Sequence, residues 1–172
     1  MTGCYRPCHN CIDNCIHTYA GIQLRNYCAK MMEKQGYERD TTSAQQIING
    51  RDDITGDEKR RVTIPQEPTG QARITPGFNL PCDHVIHTVG PIVDGRLTSY
   101  HEELLRSCYE SCLNLADENQ VESIAFCCIS TGVFMFPNQR AAEIAVQTVK
   151  EYKEKTGSRL RPVYSGGLYL YR

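Results

Sequence analysis

The chain has 172 residues, a length that suits one domain with a single core. Its formal net charge is −1, with 19 basic and 20 acidic residues, which gives no reason to expect a surface for nucleic acid or for a membrane. The N-terminus lacks a basic start followed by an apolar run, and the longest apolar stretch, at 124–129, is too short to span a bilayer. We therefore expect a cytoplasmic protein that binds neither nucleic acid nor membrane.

The N-terminal segment 3–17, GCYRPCHNCIDNCIH, is dense in thiols and imidazoles. Pro7 helps to hold part of this segment out of a helix. Mixed thiolate and imidazole ligands suit the tetrahedral preference of zinc. The segment therefore predicts a zinc site, and the alternative is a purely structural cluster of cysteines.

The next regions alternate between helical, polar and strand-like patterns. Apolar residues at helical spacing from Asp13 to Lys34, interrupted only by Gly21, predict one or two consecutive helices. Residues 38–67 are polar and lack a lasting period, which is typical of a long loop or insertion. Residues 83–89 contain the run HVIHTV, bounded by proline and glycine, which predicts a buried strand.

The second half continues this alternation. Ser99 and Glu102 form a capping-box pattern that predicts the start of a helix ending near Glu118. Residues 123–130 are nearly all apolar, which predicts a strand covered on both faces, as in a parallel sheet. A last helix is predicted from a cap at Asn138 to a stop at Gly157. Strands and helices in alternation favour the α/β class.

The loop between the second predicted strand and the last helix reads STGVFMFP, residues 130–137. In α/β proteins, ligands bind at such strand ends. Backbone N–H groups turned outward near Gly132, followed by a helix N-terminus, can surround a diphosphate without a lysine. A strand-to-helix turn with one glycine is also common without a ligand, so this pattern alone leaves both interpretations open.

Five segments together resemble the macrodomain family, and more closely its zinc-containing microbial branch. They are the N-terminal segment 3–17, the loop 130–137, PTGQARIT (68–75), CDHVIHTVGP (82–91) and AAEIAVQTV (141–149). The resemblance implies a three-layer α/β/α sandwich with a mixed, mostly parallel sheet. It also implies an ADP-ribose cleft at the strand ends and hydrolytic removal of ADP-ribose from ADP-ribosylated proteins. On this basis residues 1–172 form a single domain with a polar insertion at about 38–67.

The same resemblance assigns candidate site residues. The zinc triad of the branch falls on Cys4, His9 and Cys11, which match its pattern in type and spacing. Asp13 takes the acidic position ahead of the helix and is the expected catalytic residue, although a helix N-cap or first-turn acid is the alternative. The loop expected to bind ADP-ribose consists of Ser130, Thr131, Gly132, Val133 and Phe134.

The chain also departs from the family pattern. Macrodomains normally begin with strands ahead of the zinc loop, so we expect an N-terminally truncated domain. The tail from Arg159 to Arg172 is expected to lack the closing strand, and Met135 replaces a glycine of the phosphate loop. The alternatives to a hydrolase are a non-catalytic ADP-ribose-binding module with a structural zinc, and an inactive truncated remnant. A fourth ligand from Cys8 or Cys15 would favour a structural zinc.

Overall fold

The computed structural model of the protein describes residues 12–34 and 68–164. The predicted zinc triad and the predicted insertion at 38–67 lie outside these residues. The described elements follow the order α1 (Ile12–Ala20), α2 (Ile22–Lys34), β1 (Ala72–Pro76), β2 (His84–Thr88), α3 (Ser99–Glu118), β3 (Ser123–Phe126), α4 (Asn138–Thr156) and β4 (Arg161–Tyr164). This order agrees with the predicted α/β class. Among the described helices, none is both long and apolar enough to cross a bilayer.

Gly21 separates the first two helices, where the sequence predicted either one helix or two. Its φ of +85° lies in the left-handed region, which glycine adopts without steric cost. A Cβ at this position would also lie 2.8 Å from Nδ2 of Asn79, so a larger residue would meet the loop between β1 and β2. The amide of Asn79 donates to the carbonyl of Ala20 at 3.4 Å, which attaches that loop to the end of α1.

The strands form two pairs. Strands β1 and β2 are antiparallel, with Ile74 opposite Ile86, whereas β3 and β4 are parallel, with Ser123 opposite Arg161. Within 12–34 and 68–164 the strands thus make two two-stranded sheets, where a single mixed, mostly parallel sheet was predicted. The expectation that the tail lacks a strand is wrong up to Tyr164, because β4 pairs with β3 there.

Helix α3 begins with a capping box one residue earlier than predicted. The N-cap is Thr98, whose hydroxyl accepts from the amide of His101 at 3.4 Å. The amide of Thr98 donates to Nδ1 of His101 at 3.2 Å, so a histidine takes the place of the predicted Glu102. At α4 the predicted Asn138 cap is wrong, because Asn138 is already helical and the N-cap Pro137 makes no side-chain hydrogen bond.

The larger core lies where α3 and α4 pack together with β3. Its members are buried residues of both helices, including Leu105, Cys112, Leu113, Ile144 and Val149. Strand β3 contributes alternate residues, since Ile124 and Phe126 are buried while Ser123 and Ala125 are exposed. Only one face of β3 is covered by the described residues, which differs from the prediction of two covered faces. The exposed Cys127 and Cys128 follow β3 and lead into the loop that precedes α4.

Candidate functional site

The predicted ADP-ribose loop follows β3 and forms a compact turn. The amide of Met135 donates to the carbonyl of Gly132 at 2.9 Å, and the amide of Phe136 donates to the carbonyl of Ser130 at 3.0 Å. Ser130 and Met135 have φ values of 64° and 57°, which are uncommon for residues with side chains. The chain therefore holds an unusual backbone shape at the predicted position.

Three consecutive amides in this turn remain available. Within the described part of the chain, the N–H groups of Gly132, Val133 and Phe134 take part in none of the hydrogen bonds that close the turn. No atom lies within 4 Å of the position that a Cβ of Gly132 would take, so the space beside this residue is open. Exposed amides ahead of a helix N-terminus form a binding place for an anion. The turn thus offers unbonded amides at the position where the sequence predicts a diphosphate loop.

The loop after β2 lies against the same turn. Gly90 packs so closely that a Cβ there would collide with Oγ of Ser130. The amide of Val93 donates to the carbonyl of Phe134 at 2.9 Å. Gly90 was not among the predicted site residues, although it stands in the GP pair that ends the strand motif. The close approach explains why glycine is needed there, and the sequence alone does not show this approach.

The rim of the turn is apolar and exposed. Val133 and Met135 are each 73% exposed, and Ile92 from the neighbouring loop is 61% exposed. Ser130 has a buried hydroxyl that finds no hydrogen-bond partner among the described residues. Exposed apolar side chains beside unpaired polar groups are typical of a ligand site.

Asp13 lies in the first turn of α1, where the helix dipole favours a negative charge. Its side chain is 42% exposed, and its Oδ1 lies 3.5 Å from Nε2 of His17. The other predicted catalytic-centre residues, Cys4, His9 and Cys11, lie outside the described residues. Asp13 is thus the one predicted residue of that centre whose surroundings can be described.

Two imidazoles, the buried His17 and the half-buried His87, lie near Asp13. The ring centroids of His17 and His87 are 6.1 Å apart, and Nε2 of His87 lies 3.0 Å from the hydroxyl of Thr75. Burial lowers the pKa of His87 to about 4, and the neighbouring His17 adds to this effect. Burial also lowers the pKa of His17, which Asp13 partly opposes. Sequence reasoning missed this pair, because α1 and β2 are far apart in the chain.

Comparison with known proteins identifies the family. Residues 54–145, more than half of the chain, match the Macro domain family. The match begins inside the segment predicted to be an insertion. A protein-ADP-ribose hydrolase from Treponema medium is 53% identical over 165 residues, covering 96% of this chain and 52% of that protein. The chain therefore spans about half the length of this curated relative.

Solved structures agree with this result. An Oceanobacillus iheyensis macrodomain mutant with ADPR has a TM-score of 0.67 at 33% identity, covering 91% of this chain and 69% of that one. A Trypanosoma brucei macrodomain in complex with ADP-ribose has a TM-score of 0.65 at 29% identity, covering 95% of this chain and 52% of that one. From the family match, the relatives and the shared fold, we conclude that the chain belongs to the macrodomain family.

Proposed function

We propose that the chain is a hydrolase that removes ADP-ribose from modified protein side chains. The observation that carries this proposal is the turn at 130–134, where three consecutive amides take no part in the hydrogen bonds that close the turn and the space beside Gly132 is open. Two further points support it. The Treponema medium relative is named a protein-ADP-ribose hydrolase, and the solved macrodomains include complexes with ADP-ribose.

In this proposal the turn binds the diphosphate. The amides of Gly132, Val133 and Phe134 donate to phosphate oxygens, and the start of α4 adds favourable partial charge. No cationic side chain is required, which agrees with the net charge of −1. Phe134 is half-buried and packs against the distal ribose, where an aromatic ring suits the apolar face of a sugar.

Asp13 is the proposed catalytic residue. Hydrolysis breaks the bond between the anomeric carbon of the distal ribose and an oxygen of the modified side chain, and water supplies the oxygen of the new bond. Positive charge develops on the ribose as the first bond breaks. A carboxylate that is partly exposed at a helix N-terminus can stabilise this charge or orient the water.

Zinc is the proposed cofactor, bound by Cys4, His9 and Cys11. The donor set fits, because two thiolates and one imidazole are ligands that zinc prefers, and three protein ligands are usual at catalytic zinc. When bound, such an ion polarises a coordinated substrate oxygen or water. Asp13 follows Cys11 by two residues, so the chain itself keeps the carboxylate close to the proposed ligands.

A second candidate function is a non-catalytic module that binds ADP-ribose. It is favoured by Met135, which is 73% exposed at the rim, where the family usually has glycine. A side chain at this position can crowd the approach of a ligand to the turn. In that case zinc is structural and Asp13 serves only the first turn of α1. Localisation in the cytoplasm is proposed for either function.

The test compares two first-turn acids, Asp13 of α1 and Glu102 of α3. We expect Asp13→Ala to lower the rate of ADP-ribose release from a protein modified on acidic side chains by about 100-fold or more, the range for loss of acid–base assistance. Calorimetry should show unchanged ADP-ribose binding. The control Glu102→Ala should retain the full rate, because Glu102 pairs with Arg140 on the surface.

The outcomes separate the two functions. A wild-type chain that binds ADP-ribose but releases none from the modified protein would support the binding module. Release at the original rate by Asp13→Ala would remove Asp13 from the mechanism. For the zinc part, folded Cys11→Ala is expected to lose hydrolysis, and retention of the wild-type rate would make the metal structural.

A further inference from the structure

A second cluster of metal-binding side chains lies inside the described fold. His17 of α1, Cys28 of α2 and His87 of β2 each offer one ligand atom, and these atoms all lie within 4.8 Å of one another. His17 and Cys28 are each 2% exposed. The cluster shares no residue with the set Cys4, His9 and Cys11. Three elements of the fold therefore bring these side chains together.

The hydrogen bonding of His17 is the second observation. Both of its ring nitrogens are buried, and neither has a hydrogen-bond partner among the described residues. The approach of Asp13 to Nε2 at 3.5 Å is too long for a strong hydrogen bond. A buried polar atom without a partner costs about 1–3 kcal/mol. A fold that keeps such a histidine calls for an explanation, and a bound ion supplies one.

We propose that His17, Cys28 and His87 bind a zinc ion, or a divalent ion of similar chemistry, at a second metal site. One thiolate and two imidazoles are the ligand types that tetrahedral zinc takes. From zinc–ligand bonds of about 2.0–2.3 Å, the ligand atoms of a tetrahedral site are roughly 3.3–3.6 Å apart. The ligand atoms, which lie within 4.8 Å of one another, thus need to move about 1 Å closer together, and rotation of the side chains supplies this movement.

The surroundings suit a cation. Two neutral imidazoles and one thiolate leave a zinc ion with one net positive charge, and the carboxylate of Asp13 lies beside His17 to balance it. The hydroxyl of Thr75, 3.0 Å from Nε2 of His87, holds that ring as groups behind metal ligands do.

Burial of the Cys28 thiol opposes metal binding, because it disfavours the thiolate. Burial raises the pKa of Cys28, so the thiol is protonated in the metal-free protein. Zinc binding must displace this proton, and the affinity then includes that cost. The site is consequently expected to bind zinc more tightly at higher pH, and bound zinc is expected to stabilise the packing of α1 and α2 on β2.

The test is the zinc content of the full chain and its variants, measured by elemental analysis after dialysis against zinc-free buffer. Cys28→Ala and His87→Gln should each carry one zinc fewer per chain than wild type. Cys112→Ala is the matched control, because Cys112 is also 2% exposed but lies in the other core, and it should keep the wild-type content. A double variant, Cys4→Ala with Cys11→Ala, should retain one zinc.

Each outcome bears on this site separately from the proposed hydrolase. A folded double variant without zinc would overturn the second site, as would folded Cys28→Ala and His87→Gln chains with wild-type zinc content. If Cys28→Ala fails to fold, cobalt substitution of the double variant replaces it. A thiolate-to-cobalt absorption band in the double variant supports the site if it is unchanged when Cys112→Ala is added to that variant. The absence of any such band in the folded double variant contradicts the site.

Discussion

The two helical pairs of this macrodomain differ in what they bury. Helices α3 and α4 enclose a core of apolar side chains that also includes β3. Within 12–34 and 68–164, by contrast, α1 and α2 enclose a small buried cluster, Ala20, Leu24 and Cys28. The small cluster lies next to the buried His17, while the large core holds no buried histidine among the described residues. Within the described residues, apolar burial is thus concentrated in one region and the buried histidine lies in the other.

The largest effect is expected from truncation in the large core. Leu105→Ala removes a fully buried side chain of α3 and should lower the free energy of unfolding by about 3–5 kcal/mol. Leu24→Ala removes an equally buried side chain from the small cluster, which has fewer apolar neighbours and can collapse more easily. Leu24→Ala should therefore lower the free energy of unfolding by less, about 2–3 kcal/mol. Urea denaturation of both variants at equal zinc concentration measures the difference. Equal costs would contradict the distinction between the two regions.

A smaller effect is expected at the polar contact between α3 and α4. The hydroxyl of Tyr152 donates to Oδ2 of Asp117 at 2.7 Å, and Ser158 donates to the other oxygen at 2.8 Å. Tyr152→Phe removes one of these bonds but keeps the buried ring, so we expect a loss of about 1–2 kcal/mol. Urea denaturation of the variant measures it. No loss would show that water replaces the hydroxyl and that this hydrogen bond adds nothing to the packing of the two helices.

The smallest effect is expected from the exposed ion pair of the same two helices, Arg106 with Glu151. Both side chains are solvated, and screening leaves little net stabilisation in such a pair. Glu151→Gln should therefore unfold at the wild-type urea concentration within experimental error. A clear loss of stability, removed by added salt, would show that surface charge also contributes to the large core region.

The large core region was mostly predictable from sequence. The apolar spacing gave α3 its end at Glu118, and the left-handed Gly157, with φ 69°, ends α4 as predicted. The start of α3 was displaced because His101, rather than Glu102, completes the capping box. A local pattern predicts which residues form a helix better than which polar side chain turns back to its first amides.

Other features could not be read from local patterns. Strand β4 was missed, because Arg161–Tyr164 is short and its pairing partner β3 lies before a long helix. The closeness of Gly90 to Ser130, and of His17 to Cys28 and His87, depends on how separate elements pack. By contrast, the turn at Ser130–Phe134 was predicted, since a strand, a glycine and a helix start follow each other directly in sequence.

The central claim, that the turn at 130–134 binds the diphosphate of ADP-ribose, is tested most directly by calorimetric titration of Gly132→Leu with ADP-ribose. The space beside Gly132 is open, so the new side chain should leave the fold intact and occupy the place of the ligand. The account predicts at least about tenfold weaker binding, or 1.4 kcal/mol, with wild-type affinity in the control Ala142→Leu on the exposed side of α4. Wild-type affinity in a folded Gly132→Leu chain would contradict it.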